Sequence, residues 1–308
     1  MHNRAAARLS RGAASARRRV AIAPYLFLVP TLAILLGFYL YPVVSSFRLS
    51  FYSYRWNAPN LPAEFVGLAN YIDLLQEADL QQALRWTLLF TVSAVSLEFV
   101  LGMGLALALH APHLGRLRGL LRGIILIPMM VAPIVAGLIW RSMLNPEYGP
   151  INHLITSLGL PPVRWFTEPA AARVAIILTD LWLATPFVVL VLLAGLQSIP
   201  EDLYEAARID GAGAWQCFRA ITLPMLRYPI VIALSVRTMD ALRLFDQVAA
   251  LTKGGPGTST ETVMYVTYQT AFKYYEMGRA SALSFIALIG IALVTTIYLL
   301  ALRSQEQI

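Results

Sequence analysis

The chain has 308 residues, of which 58% are hydrophobic and only 13% are charged. A soluble domain typically has about 45–50% apolar and about 25% charged residues, so this composition excludes an ordinary water-soluble fold and predicts a polytopic membrane protein. The net charge of +7 does not indicate nucleic-acid binding, because six arginines precede the first apolar segment without any acidic residue among them. The single cysteine excludes an intrachain disulfide, and the histidine spacing predicts no metal site.

Six apolar stretches are long enough to cross a bilayer as helices. They cover residues 24–46, 86–110, 121–142, 174–196, 227–250 and 280–302. The chain is therefore predicted to be an all-α membrane protein with a six-helix domain at 24–303. A basic cytosolic arm (1–23) precedes this domain and a short cytosolic tail (304–308) follows it.

The charge distribution predicts the orientation of these spans. The basic arm places the N-terminus in the cytosol, and an even number of spans returns the C-terminus to the same side. The connections at 111–120 and 197–226 are then cytosolic. The outer connections are long and rich in turn residues, so we expect them to receive something from outside; the alternative is that they only cap helix ends.

The connection between spans four and five, residues 198–224, is a polar segment between two apolar ones. Ser198-Ile199-Pro200-Glu201 has the pattern of a capping box, with proline in the first turn. It predicts a helix up to Ile209, which Gly211 and Gly213 stop. A second short helix is predicted from Ala214 to about Ile221, where Pro224 prevents its continuation. Two short helices joined by a glycine turn would form a rigid projection that fits a partner's groove.

Seven positions of this connection have a specific spacing: Glu205-Ala206-Ala207, Gly211, Ile221 and Leu223-Pro224. This pattern resembles the signature loop of permease subunits of binding-protein-dependent ABC importers, whereas Glu-Ala-Ala alone is common in any helix. The resemblance implies the type I importer permease fold, with a cytosolic coupling helix that docks on an ATP-hydrolysing subunit. The coupling residues that it implies are Glu205, Ala206, Ala207, Asp210 and Gly211.

The same resemblance implies several partners and a location. The partners are a second permease, an ATPase dimer and an extracytoplasmic binding protein, and the location is the plasma (inner) membrane of a bacterium. ATP and Mg would be bound by the partner ATPase, so this chain is expected to carry no cofactor and no enzymatic activity. The segment Lys253–Ser259 is not a phosphate-binding loop, because its lysine precedes the glycines.

Span five contains four ionisable residues that alternate in sign at intervals of three, Arg237, Asp240, Arg243 and Asp246. Phe245 and Gln247 lie beside the last of them. Ionisable groups within a bilayer usually face the protein interior or a wet cavity. We predict that these residues line a substrate pathway, with Phe245 or Trp182 packed against the apolar face of a sugar ring. The alternative is a ladder of salt bridges that holds span five to its neighbours.

Two more ionisable residues lie in predicted spans, Glu98 in span two and Asp180 in span four. Glu98 is expected to pair with an arginine or to shape the cavity. An ion-coupled secondary transporter that uses Glu98 and the span-five charges is an alternative from another class. A membrane scaffold without transport activity is a second alternative.

Several other segments resemble sugar permeases. They are residues 25–30, 65–71, 237–246 and 251–257, and the third of these is similar to trehalose and maltose importer permeases. The resemblance implies that the chain imports a sugar, with a disaccharide such as trehalose or maltose as the expected substrate. Glycerol-3-phosphate or another polyol is the alternative substrate.

Overall fold

The computed structural model describes residues 27–303 except 59, 61, 112–114 and 116, and the side chains of 27–300 within that range. The predicted arm at 1–23, the tail at 304–308 and the start of the first span lie outside the described residues. The described chain is helical apart from its connections and one short antiparallel pair of strands, β1 (Tyr52–Ser53) and β2 (Glu64–Phe65). The helices are α1 (Phe27–Leu49), α2 (Ala69–Gln76), α3 (Ala78–His110), α4 (Leu117–Leu126), α5 (Pro133–Met143), α6 (Pro150–Ser157), α7 (Pro169–Gln197), α8 (Glu201–Ile209), α9 (Ala214–Met225), α10 (Arg227–Leu242), α11 (Val263–Tyr268) and α12 (Met277–Arg303).

Four helices are long and apolar enough to cross a membrane by themselves: α1, α3, α7 and α12. Two further pairs have the length and apolarity of one span each, but both are bent. Residues Leu117–Met130 and Pro133–Met143 meet at 99°, and α9 and α10 meet at 64°. If each bent pair crosses once, the total is six spans, in agreement with the predicted fold class.

The span predicted at 121–142 is present as a bent pair of helices and not as one continuous helix. A 3₁₀ turn at Pro128–Met130 follows α4, and Val131 and Ala132 then adopt extended backbone conformations before α5 begins at Pro133. A proline disfavours helical geometry in the residue before it, and it is well accommodated at the first position of a new helix. Pro133 therefore prevents α4 from continuing and begins α5, which runs in a different direction.

The span predicted at 227–250 is interrupted as well. Helix α10 ends at Leu242, and the carbonyl of Leu244 accepts a hydrogen bond from the Thr262 hydroxyl at 2.6 Å rather than from a helical N–H. A π-helical turn at Val248–Thr252 follows. The tertiary contact with Thr262 thus replaces the helical hydrogen bonding that the local sequence favours.

Helices α3, α7 and α10 form the centre of the bundle and approach one another closely at glycines. A Cβ atom on Gly102 of α3 would lie 2.7 Å from Val188 of α7, and one on Gly195 of α7 would lie 2.6 Å from Pro229 of α10. Small residues at such crossings let helices in a membrane pack with their backbones close together. This close packing holds fixed the side chains that α3, α7 and α10 project toward each other.

The two ends of the bundle can be distinguished by their connections. The N-terminal halves of α3 and α7 share one end, because Arg173 donates to the carbonyl of Ser259 at 3.0 Å and Gln82 donates to that of Thr258 at 3.1 Å. Helix α8 follows the C-terminus of α7 and so lies at the other end. We call these ends the loop end and the α8 end.

Candidate functional site

A buried ionic network joins the three central helices. Arg237 of α10 donates from Nε and Nη2 to the two carboxylate oxygens of Glu98 in α3, at 2.7 and 2.9 Å. Its Nη2 also donates to Oδ2 of Asp180 in α7 at 2.9 Å, and the amide of Gln247 donates to Oδ1 of Asp180 at 3.1 Å. All four side chains are buried. The expected pairing of Glu98 with an arginine is therefore present.

Three members of this network, Asp180, Arg237 and Gln247, also line a cavity between α5, α7, α10 and the segment that follows α10. The cavity has a volume of about 410 Å³, within the range of small-molecule sites. It is lined by charged, polar and apolar side chains: Pro133, Asp180, Leu183, Ala184, Phe187, Arg237, Asp240, Arg243, Leu244, Phe245, Asp246 and Gln247. Asp240 and Arg243 are exposed, whereas Arg237 and Gln247 are buried. The exposed pair can offer carboxylate acceptors and guanidinium donors to a polyhydroxylated ligand.

Six of the seven residues predicted for a substrate pathway line this cavity, and Trp182 does not. The Trp182 ring packs edge-on against Trp140, with the ring centroids 6.2 Å apart. The reason is its position in α7: two residues after Asp180, it lies on a different side of the helix from the cavity. Phe245 is thus the predicted aromatic residue that reaches the cavity.

The expected ladder of ion pairs along span five forms only in part. Among the described residues, the pair between Arg237 and Asp240, at 3.9 Å, is the one of this series within salt-bridge distance. The helix ends at Leu242, so Arg243 and Asp246 do not continue its helical face. The strong contacts of Arg237 go instead to the carboxylates of two other helices. The structural role and the pathway role predicted for span five therefore apply to different residues. Arg237 braces the helices, whereas Asp240 and Arg243 face the cavity.

The sequence analysis gave Asp180 only as an ionisable residue of span four, and it missed five further lining residues: Pro133, Leu183, Ala184, Phe187 and Leu244. Pro133 marks the start of α5, and the proline itself was the available signal. The others are ordinary apolar residues whose types do not distinguish them from the rest of the spans. Among the residues that the structure describes, no group of three or more His, Cys, Asp or Glu side chains is placed to hold a metal ion.

Helix α8 ends in a well-defined turn. Gly211 has φ of +81°, and the N–H groups of Gly211 and Ala212 donate to the carbonyls of Arg208 and Ala207 at 3.0 and 2.8 Å. These two bonds form a Schellman motif, which requires the left-handed conformation that glycine adopts without strain. The predicted stop at Gly211 is confirmed. Glu205, Ala206, Asp210 and Gly211 are exposed, and Ala207 is half-buried.

The predicted capping box at Ser198 is not present. The Ser198 hydroxyl donates to the carbonyl of Gly195 at 2.7 Å, so it belongs to the end of α7, and α8 begins at Glu201 after Pro200 without a side-chain cap. Acidic side chains of Glu201 and Asp202 in the first turn complement the positive end of the helix dipole instead. Helix α9 also extends past Ile221, because a π-helical turn at Phe218–Thr222 precedes Pro224 and places it where its missing N–H is tolerated.

Helix α8 is attached to the helices of the bundle through α9. The hydroxyls of Tyr204 in α8 and Thr222 in α9 are hydrogen-bonded at 2.9 Å. A cavity of about 1060 Å³ separates α8 from the ends of α3 and α7, with Leu107, His110 and Gln197 among its lining residues. The attachment is therefore local, and most of α8 remains accessible to another molecule.

Comparison with known protein families decides the class of this chain. Residues 98–307 match the family described as binding-protein-dependent transport system inner membrane component. This chain belongs to that family. It is a permease component of an ABC transporter in the inner membrane, and membership of this family argues against an ion-coupled secondary transporter or a scaffold.

Several curated permeases are similar along almost their whole length. The trehalose/maltose transport system permease protein MalF of Thermococcus litoralis is 41% identical, over 89% of this chain and 92% of the relative. The sulfoquinovosyl glycerol transport system permease protein SmoG of Agrobacterium fabrum is 37% identical, over 91% and 90%. The trehalose transport system permease protein SugA of Mycobacterium tuberculosis is 34% identical, over 94% and 90%.

Solved structures confirm the fold of this permease. A chain of a bacterial alginate ABC transporter, crystallised with an alginate pentasaccharide-bound periplasmic protein, superposes with a TM-score of 0.79 at 22% identity. That superposition covers 91% of this chain and 93% of the other. The inward-facing MetNI methionine ABC transporter superposes with a TM-score of 0.55 over 77% of this chain. The ABC importer permease fold that the sequence motif implies is therefore confirmed.

Proposed function

We propose that this chain is the transmembrane subunit of an ATP-driven importer for a sugar, with a disaccharide such as trehalose or maltose as the expected cargo. Relatives that are 34% and 41% identical are named for trehalose and for trehalose/maltose transport. The cavity beside Asp240 and Arg243 supports a polyhydroxylated ligand, because both side chains are accessible and together supply acceptors and donors.

One observation carries the mechanism: the exposed helix α8, followed by α9, connects two helices that line the cavity. Helix α7 contributes Asp180 to the cavity, and it is followed at once by α8, then by α9, and then by α10 with Arg237 and Asp240. A force applied to α8 is therefore transmitted along the chain to both cavity-lining helices. A domain movement becomes a change in the cavity when such rigid elements move together.

In this proposal, α8 is the coupling helix, and Glu205, Ala206, Ala207, Asp210 and Gly211 form the surface that a partner ATPase receives. The ATPase binds ATP and Mg, so this permease needs neither a cofactor nor a catalytic residue. The α8 end faces the cytosol, and a binding protein delivers the sugar at the loop end. ATP and the loaded binding protein shift the equilibrium between the inward- and outward-facing states because they bind more tightly to the outward-facing transporter.

The test is to purify the permease with a candidate second permease, ATPase and binding protein, and to measure sugar uptake and ATP hydrolysis in liposomes. We expect the sugar-loaded binding protein to stimulate hydrolysis and vanadate to stop uptake. We expect Glu205→Ala to lower stimulated hydrolysis. Uptake that depends on an ion gradient and not on ATP contradicts the proposal, as does stimulated hydrolysis that Glu205→Ala leaves unchanged.

A further inference from the structure

A row of aromatic rings leads away from the cavity. Phe245 lines the cavity, its ring centroid lies 5.1 Å from that of Tyr268, and Tyr268 lies 5.4 Å from Phe272. Tyr265 flanks this row, with its ring 6.2 Å from Phe245 and 6.3 Å from Tyr268. We call Phe245, Tyr268 and Phe272 the aromatic row. Rings at this spacing provide continuous apolar contact from one member to the next.

The row runs from the cavity toward the loop end. At its base, the segment that carries Tyr268 begins beside Leu244, whose carbonyl accepts from Thr262 at 2.6 Å. At its top, the carbonyl of Ala271, next to Phe272, accepts a hydrogen bond from the indole of Trp56 at 3.2 Å. Trp56 belongs to the first connection at the loop end, near the paired side chains of Arg55 and Glu276. The row therefore connects the cavity with the end at which we expect the sugar to arrive.

Exposure distinguishes the row from an ordinary core cluster. The flanking Tyr265 is only 8% exposed and packs in the core, whereas Tyr268 is 46% and Phe272 is 56% exposed. Two exposed rings that continue from a cavity-lining one therefore offer an accessible aromatic surface that is continuous with the cavity. An aromatic face carries a negative quadrupole, which attracts the C–H faces of a pyranose ring.

We propose that the aromatic row is a carbohydrate-stacking track that guides a pyranose-containing sugar between the loop end and the cavity. This inference rests on the proposed function. A disaccharide can contact two neighbouring rings at once, and its hydroxyls meet Asp240 and Arg243 where the track enters the cavity. An acyclic polyol has no flat ring face, so the track favours cyclic sugars over substrates such as glycerol phosphates.

The test uses the complete transporter in liposomes, with trehalose and maltose as the probes. Tyr268→Leu and Phe272→Leu keep the apolar volume but remove the ring, and Tyr268→Phe keeps the ring. Tyr274→Leu is the matched control, because Tyr274 is 54% exposed and lies outside the row. We expect Tyr268→Leu and Phe272→Leu each to lower uptake at subsaturating sugar by about threefold to tenfold. Tyr268→Phe and Tyr274→Leu should retain uptake, and hydrolysis with ATP alone should not change.

The outcomes separate the track from the proposed function. If the unmodified transporter imports neither sugar, the proposed function fails whatever the variants do. If it imports sugar and the two leucine variants match Tyr274→Leu, the track is overturned. It is also overturned if the two leucine variants lose the second permease on co-purification while Tyr274→Leu keeps it, because the row is then a contact between subunits.

Discussion

Arg237 holds both carboxylate oxygens of Glu98, at 2.7 and 2.9 Å, although the two residues are 139 positions apart in the sequence. The same guanidinium reaches Asp180 of a third helix at 2.9 Å. One cation thus fixes the relative positions of α3, α7 and α10 at the level of the cavity. The contact braces the bundle next to Asp240, the accessible cavity residue of α10.

Removal of this cation is expected to be strongly destabilising. Arg237→Met leaves the carboxylates of Glu98 and Asp180 buried without their partner, which costs about 3–5 kcal/mol. Thermal unfolding in detergent measures the loss, and Arg243→Ala is the control because Arg243 is exposed. Adding Glu98→Gln and Asp180→Asn to Arg237→Met should recover part of the stability, because no unpaired charge remains. Equal stability of Arg237→Met and the control contradicts this role.

The cavity assignment predicts an effect on transport without an effect on assembly. Asp240→Asn and Arg243→Ala each remove a charged group from an accessible part of the cavity wall, and a lost hydrogen bond to a charged group corresponds to about tenfold or more in affinity. Sugar uptake in liposomes should fall accordingly, while hydrolysis with ATP alone is retained. Arg85→Ala, which removes an exposed arginine of α3 that does not line the cavity, is the control. Unchanged uptake in both cavity variants refutes the assignment.

Substitution of Gly211 tests the turn after α8, and the same substitution at the neighbouring Gly213 is its control. Gly211 has φ of +81°, and an L-residue in this conformation costs about 1–2 kcal/mol. Gly213 has φ of −75°, and a Cβ atom there would lie 3.7 Å from its nearest neighbour, so Gly213→Ala is tolerated. We expect Gly211→Ala to lower binding-protein-stimulated ATP hydrolysis, and Gly211→Asn to lower it less. Equal hydrolysis by Gly211→Ala and Gly213→Ala rules out a role for this turn.

Gly102 and Gly104 form a second matched pair, on one helix. A Cβ atom at Gly102 would lie 2.7 Å from Val188, whereas nothing lies within 4 Å of one at Gly104. Because helix propensity affects both positions alike, the difference between Gly102→Val and Gly104→Val isolates the helix contact. We expect Gly102→Val to lose about 1–3 kcal/mol of stability relative to Gly104→Val. Equal thermal unfolding temperatures of the two variants show that α3 and α7 do not pack this closely.

Much of the fold can be predicted from the sequence, because membrane spans depend on local composition. The apolar runs at 86–110 and 174–196 correspond to α3 and α7, and the glycine stop at Gly211 follows from backbone sterics. The predicted spans are shorter than these helices. Helix α3, for example, begins at Ala78, eight residues before the predicted start, because polar residues continue the helix beyond the apolar run. The bend before Pro133 has a proline as its signal, but the bend at Leu226 has none at the break itself.

The candidate site shows the limit of local reasoning. Arg237 has three acidic neighbours in the structure. Helical spacing predicts only one of them, Asp240, which lies 3.9 Å away on the same helix. The closer partners, Glu98 and Asp180, are on other helices. Trp182 was equally plausible as a sugar contact and packs on Trp140 instead. Which partner a side chain contacts depends on how its helix is rotated and which helices pack against it. A short window of sequence gives neither.

The sequence by itself determined that this protein is a membrane permease with an exposed, glycine-terminated helix between two of its spans. Hydrophobic length, charge asymmetry and turn chemistry act within a few residues of one another, so they can be read along the chain. Only the tertiary structure decided that Arg237 braces three helices, that Asp240 and Arg243 face the cavity, and that Tyr268 and Phe272 continue from Phe245. These relationships depend on how helices distant in sequence pack and rotate against each other.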